Sequence, residues 1–448
     1  AEKADLSLYQ GLKEIPWRGP LAANTVAGTI SGWKHALAGD AGTLSLTRLL
    51  RDAIDLANEG VAVTRSGAQI AAAKHAELIS QPGAYEEIFA PGGAVLKEGD
   101  RLRQPALAGT LSMLAGNGLQ DFYTGRIARS MAADLAALGS PVTADDIEKH
   151  SASAPTPLTA AVNGARLFNT APPTQGLASL LILAIFDRLG VTEGEGFSHL
   201  HGLIEATKQA FLLRDRQVGD LAYMPEPPQA ILDDREALAA MASRIDPVRA
   251  LAWPQDSAPG DTTWFGAADS RGQVVSCIQS TYFEFGSGLV LPETGIIWQN
   301  RGSSFRLTSE GWNALKPGRK PFHTLNPAMA LFDDGRVMAY GTMGGEGQPQ
   351  TQAAIFSRYA WFETPLQEAI TLPRWLLGRT WGETSTTLKL EDRFDRATIE
   401  ALAAAGHDVE MLAAFTSTMG HAGAIVRHPS GMLEGATDPR SDGAVGTW

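Results

Sequence analysis

The chain has 448 residues, of which 44% are hydrophobic and 19% charged, with a formal net charge of −12. That is length for one large domain or two to three ordinary ones, and the composition of a soluble globular protein. The acidic balance argues against nucleic acid and anionic membrane as partners, but not against a small anionic substrate, because one local arginine overrides the global sign.

The first half reads mainly as helices. Leu46, Leu49, Leu50, Ala53, Ile54 and Ala57 recur at helical spacing and Gly60 follows as a stop. Pro105 opens a second helix with Leu107, Leu111 and Leu114 on one face, and Ile127 to Leu138 forms a third, closed by Gly139. Leu177 to Leu189 is apolar nearly all round and predicts a buried helix, too short to span a bilayer. Leu203 to Arg214 is another helix, carrying Glu205, Lys208 and Arg214. Pro225, Pro227 and Pro228 mark a loop, Arg235 to Ser243 a short helix, and Pro254 to Asp261 an exposed, turn-rich linker. The N-terminal residues show no basic-then-apolar secretion pattern, so the expected location is cytoplasmic.

Past Asp261 the texture changes to strands. Thr262 to Asp269 and Gln273 to Gln279 flank a Ser270-Arg271-Gly272 turn, and Pro327 to Phe332 and Arg336 to Gly341 flank Asp333-Asp334-Gly335. A helix follows from Gln350 through Tyr359, then a strand Leu388 to Leu390, a helix Ala397 to Ala405, and strands around Val409 and Ala422 to Arg427. Strands and helices mix without a strict βαβ rhythm, which predicts a layered α+β or αββα arrangement. The one cysteine, Cys277, excludes an intramolecular disulfide and reads as a buried structural thiol.

The sequence contains no GxGxxG, P-loop, HExxH, GxSxG or paired-cysteine motif, and its nine histidines are scattered, so no metal or organic cofactor is expected. The Asp333-Asp334 pair reads as a solvated turn. Gly344-Gly345-Glu346-Gly347-Gln348 lies between a strand and a helix, where backbone N–H groups and the helix dipole could face a developing negative charge; on the residues alone a plain strand-to-helix turn is the better explanation. Asp261-Thr262-Thr263-Trp264 could simply start a strand. The same layout suits one mechanism: Thr262 attacks the carbonyl before it, and cleavage frees an α-amine, with an ordinary pKa near 8, that then serves the hydroxyl as general base.

The stretches PGDTTWFGAADSRGQVVS, FGSGLVLPETGIIWQNRG, PFHTLNPAMA, YGTMGGEGQPQTQ and GHAGAIVRHPSGMLEGATDPRSDGA resemble the small subunit of γ-glutamyltransferase-type N-terminal-nucleophile hydrolases. GPLAANTVAGTISGW, NEGVAVT, APPTQG and EATKQAFLLRDR resemble the large subunit, so the likeness covers nearly the whole chain. The resemblance implies a four-layer αββα sandwich, cleavage between Asp261 and Thr262, a large-subunit region 1–261 and a small-subunit region 262–448. The two fragments would stay together as a heterodimer, paired into a dimer of heterodimers.

Carried over by residue, Thr262 matches the nucleophile, Gly344 and Gly345 the oxyanion-hole glycines, and Ser280 a threonine whose hydroxyl contacts the nucleophile. Thr263 matches the second residue of a frequent Thr-Thr pair, or is a strand residue only. Departures bear on substrate: Tyr282 stands for an asparagine that holds the glutamyl group, Arg301 and Ser304 for the glutamine and aspartate that grip its α-amino group, and His323-Thr324 for a Ser-Ser pair. Loss of the aspartate removes the partner of a substrate ammonium, and Arg301 adds a fork suited to a carboxylate.

Within the family, the runs ANTVAGTISGW, QNRGSSF and PRWLLGRTWG resemble the oxamate amidohydrolase branch, which implies hydrolysis of oxamate to oxalate and ammonia. Two alternatives stay open: a γ-glutamyltransferase or glutathione hydrolase, and an unprocessed binding protein without activity. The family's Gly-rich strand-and-helix unit has no counterpart in these 448 residues, whose numbering begins just after that unit should end.

Overall fold

A computed structural model describes residues 1–39, 42–253, 261–378 and 385–447, and of Asp261 the backbone only. The linker expected at Pro254 to Asp261 thus lies outside the described residues except for that last backbone. The chain forms two compact units: residues 1–154 with 281–321, and residues 155–280 with 322–448. This division follows packing, and each unit draws on residues from both sides of Asp261-Thr262.

The first unit is helical. Its main helices are α1 (Thr29–Leu37), α2 (Leu46–Glu59), α3 (Arg65–Leu78), α4 (Pro105–Asn117) and α5 (Arg126–Leu138). Ser45 caps α2 by accepting from the Arg48 N–H, and α5 ends at Gly139 in the left-handed conformation. Leu50, Leu114, Ile127, Met131, Leu135 and Trp298 close the core. The later segment of this unit, 281–321, has little regular structure and is held by side-chain bonds instead. Asn300 Nδ2 donates to the Trp17 carbonyl (2.8 Å), and Gln299 Nε2 to the Thr25 carbonyl (2.7 Å).

The second unit is built on a six-stranded sheet. Its strands are β1 (Leu158–Val162), β2 (Ala165–Asn169), β5 (Ala328–Phe332), β6 (Val337–Thr342), β10 (Ala422–Arg427) and β11 (Leu433–Thr437). They lie in the order β11-β10-β6-β5-β2-β1, every pair antiparallel. Helices α6 (Gly176–Asp187), α7 (Phe197–Gln217) and α9 (Gln348–Trp361) stack beside it, with α6 and α9 against the strands. Residues 176–186 of α6 are all buried, as its all-round apolarity predicts. Helix α8 (Arg235–Ser243) is capped by Asp234. A small sheet joins β7 (Trp375–Leu377), β8 (Leu388–Glu391) and β9 (Val409–Leu412), with α10 (Arg396–Ala404) leading into β9.

The hairpin of β3 (Asp261–Ala268) and β4 (Val274–Tyr282) packs on β6 and β10. Trp264 keys it there. Gly341 and Gly423 are paired across β6 and β10. A Cβ on Gly341 would run into the indole, and one on Gly423 would come to 2.5 Å of it. Two glycines side by side therefore make a slot for one tryptophan, whose Nε1–H donates to Ser276 Oγ on β4 (3.0 Å). Helices, sheet and hairpin make the α+β layering expected from the sequence, with Thr263 and Phe265 exposed on the hairpin's outer face.

Two expectations need correction. The helical reading of the first half misses the β1–β2 hairpin around Asn163-Gly164, a dipeptide suited to tight turns, with Gly164 at φ +75°. Cys277 is half-buried on β4 instead of fully buried, and burial pushes its thiol up from its ordinary pKa.

Candidate active site

Thr262 is the second residue of β3, and its side chain is buried. Its Oγ1 donates to Ser280 Oγ on β4 at 3.2 Å and accepts from Gln348 Nε2 at 3.3 Å. The sequence-predicted pair Thr262 and Ser280 is thus brought into contact. Gln348, the first residue of α9 and fully buried, was not foreseen; its signal was proximity in sequence to the glycine pair.

The glycine loop joins β6 to α9. Gly344 and Gly345 have φ of +116° and +52°, conformations that side chains rarely adopt. The Gly347 N–H closes a turn on the Gly344 carbonyl (2.8 Å), and the Gln348 N–H bonds the Gly345 carbonyl. The loop therefore leads into the N-terminus of a 14-residue helix whose first residue touches Thr262 Oγ1.

A buried brace fixes this loop. Gln175, at the start of α6, donates from Nε2 to the Gly345 carbonyl (2.7 Å) and the Thr324 carbonyl (2.8 Å). Its Oε1 accepts from Arg214 on α7 (3.2 Å), and Arg214 pairs with Glu346 (2.6 Å) and, through two nitrogens, with Asp215. Burial works to lower the guanidinium's pKa, but Asp215 and Glu346 outweigh it and the net shift is upward. Gln175 and Arg214 sit in the APPTQG and EATKQAFLLRDR runs. Their place beside the glycine loop could not be read there, because it depends on α6 and α7 meeting the start of α9. His323 pairs by backbone with Pro173, its N–H reaching that carbonyl at 2.8 Å, and Thr324 is buried beside it.

Tyr282, Arg301 and Ser304 gather in the first unit. The Arg301 guanidinium carbon lies 3.4 Å from the centre of the Tyr282 ring, which stacks on Phe283, itself stacked on Trp17. Tyr282 adopts φ +81° to do so. Arg301 is buried, and its N–H bonds Gln299 Oε1. The Ser304 carbonyl accepts from Asn313 Nδ2 (2.6 Å). Stacking on a flat ring presents the edge of a guanidinium, the geometry for paired contacts to a carboxylate.

Among the described residues, one set of side chains has metal-ligating chemistry: His201, Glu205 and His407, all buried. Its carboxylate is already matched. Lys208 Nζ lies 2.6 Å from Glu205 Oε1 and 3.5 Å from His407 Nδ1, while His407 Nε2 and His201 Nδ1 are 3.0 Å apart. An ammonium among the ligands disfavours a second cation, so the cluster fits a hydrogen-bonded network better than a metal centre. No helix among the described residues is long and apolar enough to cross a membrane.

The sequence profile described as Gamma-glutamyltranspeptidase matches residues 1–448. The oxamate amidohydrolase proenzyme of Klebsiella pneumoniae subsp. pneumoniae is 54% identical over 448 residues, covering 99% of this chain and 84% of that protein. The glutathione hydrolase-like YwrD proenzyme of Bacillus subtilis is 38% identical, covering 98% and 83%. Among solved structures, cephalosporin acylase from Bacillus halodurans superposes with a TM-score of 0.91 at 30% identity, over 100% of this chain and 83% of that one. The chain belongs to the γ-glutamyltranspeptidase family.

Proposed function

We propose that this chain is a proenzyme that cuts itself between Asp261 and Thr262 and then hydrolyses a small amide-carboxylate, oxamate to oxalate and ammonia. The observation that carries the chemistry is the placement of Thr262 Oγ1. It is buried at the start of a strand keyed to a rigid sheet, between Ser280 Oγ and Gln348 Nε2. The 54% identity to an oxamate amidohydrolase proenzyme supports the substrate.

In maturation, Oγ1 attacks the Asp261 carbonyl carbon and the acyl group moves from nitrogen to oxygen. That shift frees the Thr262 α-amine, and water then hydrolyses the ester, releasing Oγ1 and the Asp261 carboxylate. In turnover, the amine takes the hydroxyl proton as Oγ1 attacks the substrate amide. N–H groups of the Gly344-Gly345 loop stabilise the oxyanion, and the amine passes its proton to the departing nitrogen, which leaves as ammonia. Water, deprotonated by the same amine, then releases the acid. Arg301 is the residue assigned to the substrate carboxylate, and its stack on Tyr282 supports that role. The fragments 1–261 and 262–448 remain together, with two such heterodimers pairing.

The test is N-terminal sequencing and ammonia release. Wild type should give a fragment beginning at Thr262, and Thr262→Ala should stay one chain and release no ammonia. An intact wild type that still turns over would refute the free-amine mechanism. Oxamate should be hydrolysed faster than glutamine, glutathione or an uncharged amide. Arg301→Gln should raise KM for oxamate roughly tenfold or more, the loss of a charged hydrogen-bonded pair. Faster turnover of glutathione would transfer the chain to the glutathione hydrolases, a reading that the 38% identity to a glutathione hydrolase-like protein keeps in play.

A further inference from the structure

We propose that Gln348 is a catalytic residue whose side-chain carbonyl receives the α-amine that cleavage creates on Thr262. The inference rests on Thr262 being the nucleophile. Its own ground is an imbalance in hydrogen bonding. Gln348 is fully buried and its Nε2 reaches Thr262 Oγ1 at 3.3 Å, yet its Oε1 has no hydrogen-bond partner among the described residues. The orientation of the amide follows from the hydroxyl. Thr262 has one hydroxyl proton, and it points to Ser280 Oγ. The group facing the remaining lone pairs must therefore be a donor, which puts Nε2 on Oγ1 and leaves Oε1 turned away from it.

A buried carbonyl without a donor is unfavourable, and native interiors rarely keep one without a reason. Two residues along the same helix, Gln350 shows the ordinary case. Its Nε2 donates to the Leu377 carbonyl (3.1 Å) and its Oε1 accepts from the Leu377 N–H (2.7 Å). Gln348 satisfies only the first half of that pattern. Cleavage supplies the second. The Thr262 nitrogen is three bonds from Oγ1, and on cleavage it changes from a peptide N–H into an amine with two N–H donors, or three when protonated. The uncleaved chain thus holds an unused acceptor on the amide that contacts Thr262, the residue that is about to gain donors.

In turnover, Oε1 keeps one amine N–H while the nitrogen lone pair faces the hydroxyl. When Oγ1 attacks, its proton moves to the amine, and Oε1 stabilises the resulting ammonium until the proton passes to the departing nitrogen. Gln348 itself neither gains nor loses a proton. An acceptor on the ammonium also raises the amine's pKa, which gives the proposal a signature that mere support of the fold would not produce.

The experiment compares cleaved wild type, Gln348→Met and Gln348→Glu, following kcat for oxamate against pH. Activity rises as the amine loses its proton. Gln348→Met should lower kcat roughly tenfold or more and move the acid limb to lower pH. Gln348→Glu, with a carboxylate in place of the amide, should move it to higher pH by roughly one unit. An acid limb unmoved in both variants overturns the proposal, even where kcat falls. If Gln348→Met folds but is not cleaved, the glutamate variant alone decides by the same criterion. Loss of cleavage in both, with melting curves like wild type, also overturns it, because the role would then precede the amine. Failure of the nucleophile assignment looks different: wild type itself would be uncleaved, or Thr262→Ala would still release ammonia.

Discussion

Helix α7 buries two charged networks three to four turns long in total, and the contrast between them is instructive. Near its C-terminal end, Arg214 grips Glu346 and Gln175, and through Gln175 the carbonyl of Gly345. Nearer its start, Lys208 and Glu205 grip each other and both backbone groups of Leu251, with Lys208 donating to the carbonyl (2.6 Å) and Glu205 accepting from the N–H (3.2 Å). His407 and His201 extend that network to the Asp246 carbonyl. Both are buried, and both match charge with charge. The difference is the backbone each one holds: the first holds the loop beside Thr262, the second holds the segment leading away from α8. Burial of charge does not by itself mark a catalytic network; what it fastens does.

Three substitutions would break or sharpen this contrast. The largest effect belongs to Arg214→Met. It leaves Glu346 as an unmatched buried carboxylate, a loss of about 3–5 kcal/mol of stability, and frees Gln175 from its guanidinium. We expect a lower melting temperature and kcat reduced roughly a hundredfold in the protein that remains folded, the scale for a lost oxyanion donor. A normal kcat in the folded fraction would show that the brace serves stability alone.

Gln175→Leu isolates the catalytic part of the brace. It removes the bonds to the Gly345 and Thr324 carbonyls and leaves the Arg214–Glu346 pair intact. The expected result is a fall in kcat of roughly tenfold, with a melting temperature closer to wild type than that of Arg214→Met, since two neutral hydrogen bonds of about 1 kcal/mol each and one from Arg214 are lost but no buried charge loses its ion-pair partner. Should the two variants lose stability equally, the separation of roles within the brace would fail.

Lys208→Met should have the smallest effect on catalysis: reduced stability, with kcat of the cleaved enzyme within about twofold of wild type. It should also alter the acid response. Burial, aided by the Lys208 ammonium and by His201, holds His407 down to about 3, and burial with Arg358 nearby holds His199 to about 3. In the unfolded chain these rings take protons below about 6.5, while the folded protein refuses them. Stability is therefore lost as pH falls from about 6.5 toward 3, each ring contributing a slope of about 1.4 kcal/mol per pH unit. Without the neighbouring ammonium, His407 protonates more readily in the folded state, so the variant's melting temperature should fall less steeply with acid. An identical slope would mean that Lys208 does not set the His407 charge.

Much of this was legible beforehand. Periodicity and stop signals located α2, α5 and α6 to within a residue or two, and Pro105 the start of α4, because each buries one apolar face or all of them. The hairpin bearing Thr262 was legible from its turn residues. Less legible were α1, whose nine residues are too few for a period to repeat clearly, α3, whose apolar residues are mostly small and define no sharp stripe, and the β1–β2 hairpin, where alanines blur the alternation despite the Asn163-Gly164 turn.

The site divides along the same line. Local chemistry in the sequence made Thr262 only a candidate nucleophile, a threonine at the head of a strand after a turn-rich linker, and the family resemblance was needed to choose it over a plain strand start. Gly344 and Gly345 were candidates on similarly local ground, a strand-to-helix junction, and likewise took their assigned role from the resemblance. Ser280 needed the family resemblance, and the structure then placed its hydroxyl 3.2 Å from that of Thr262. Gln348, Gln175 and the Arg214–Glu346 pair, and the glycine slot that receives Trp264, were decided by tertiary structure alone. Each depends on segments tens to more than a hundred residues apart arriving within hydrogen-bond or van der Waals distance, and side-chain periodicity carries no record of which distant atom a buried amide or guanidinium will meet.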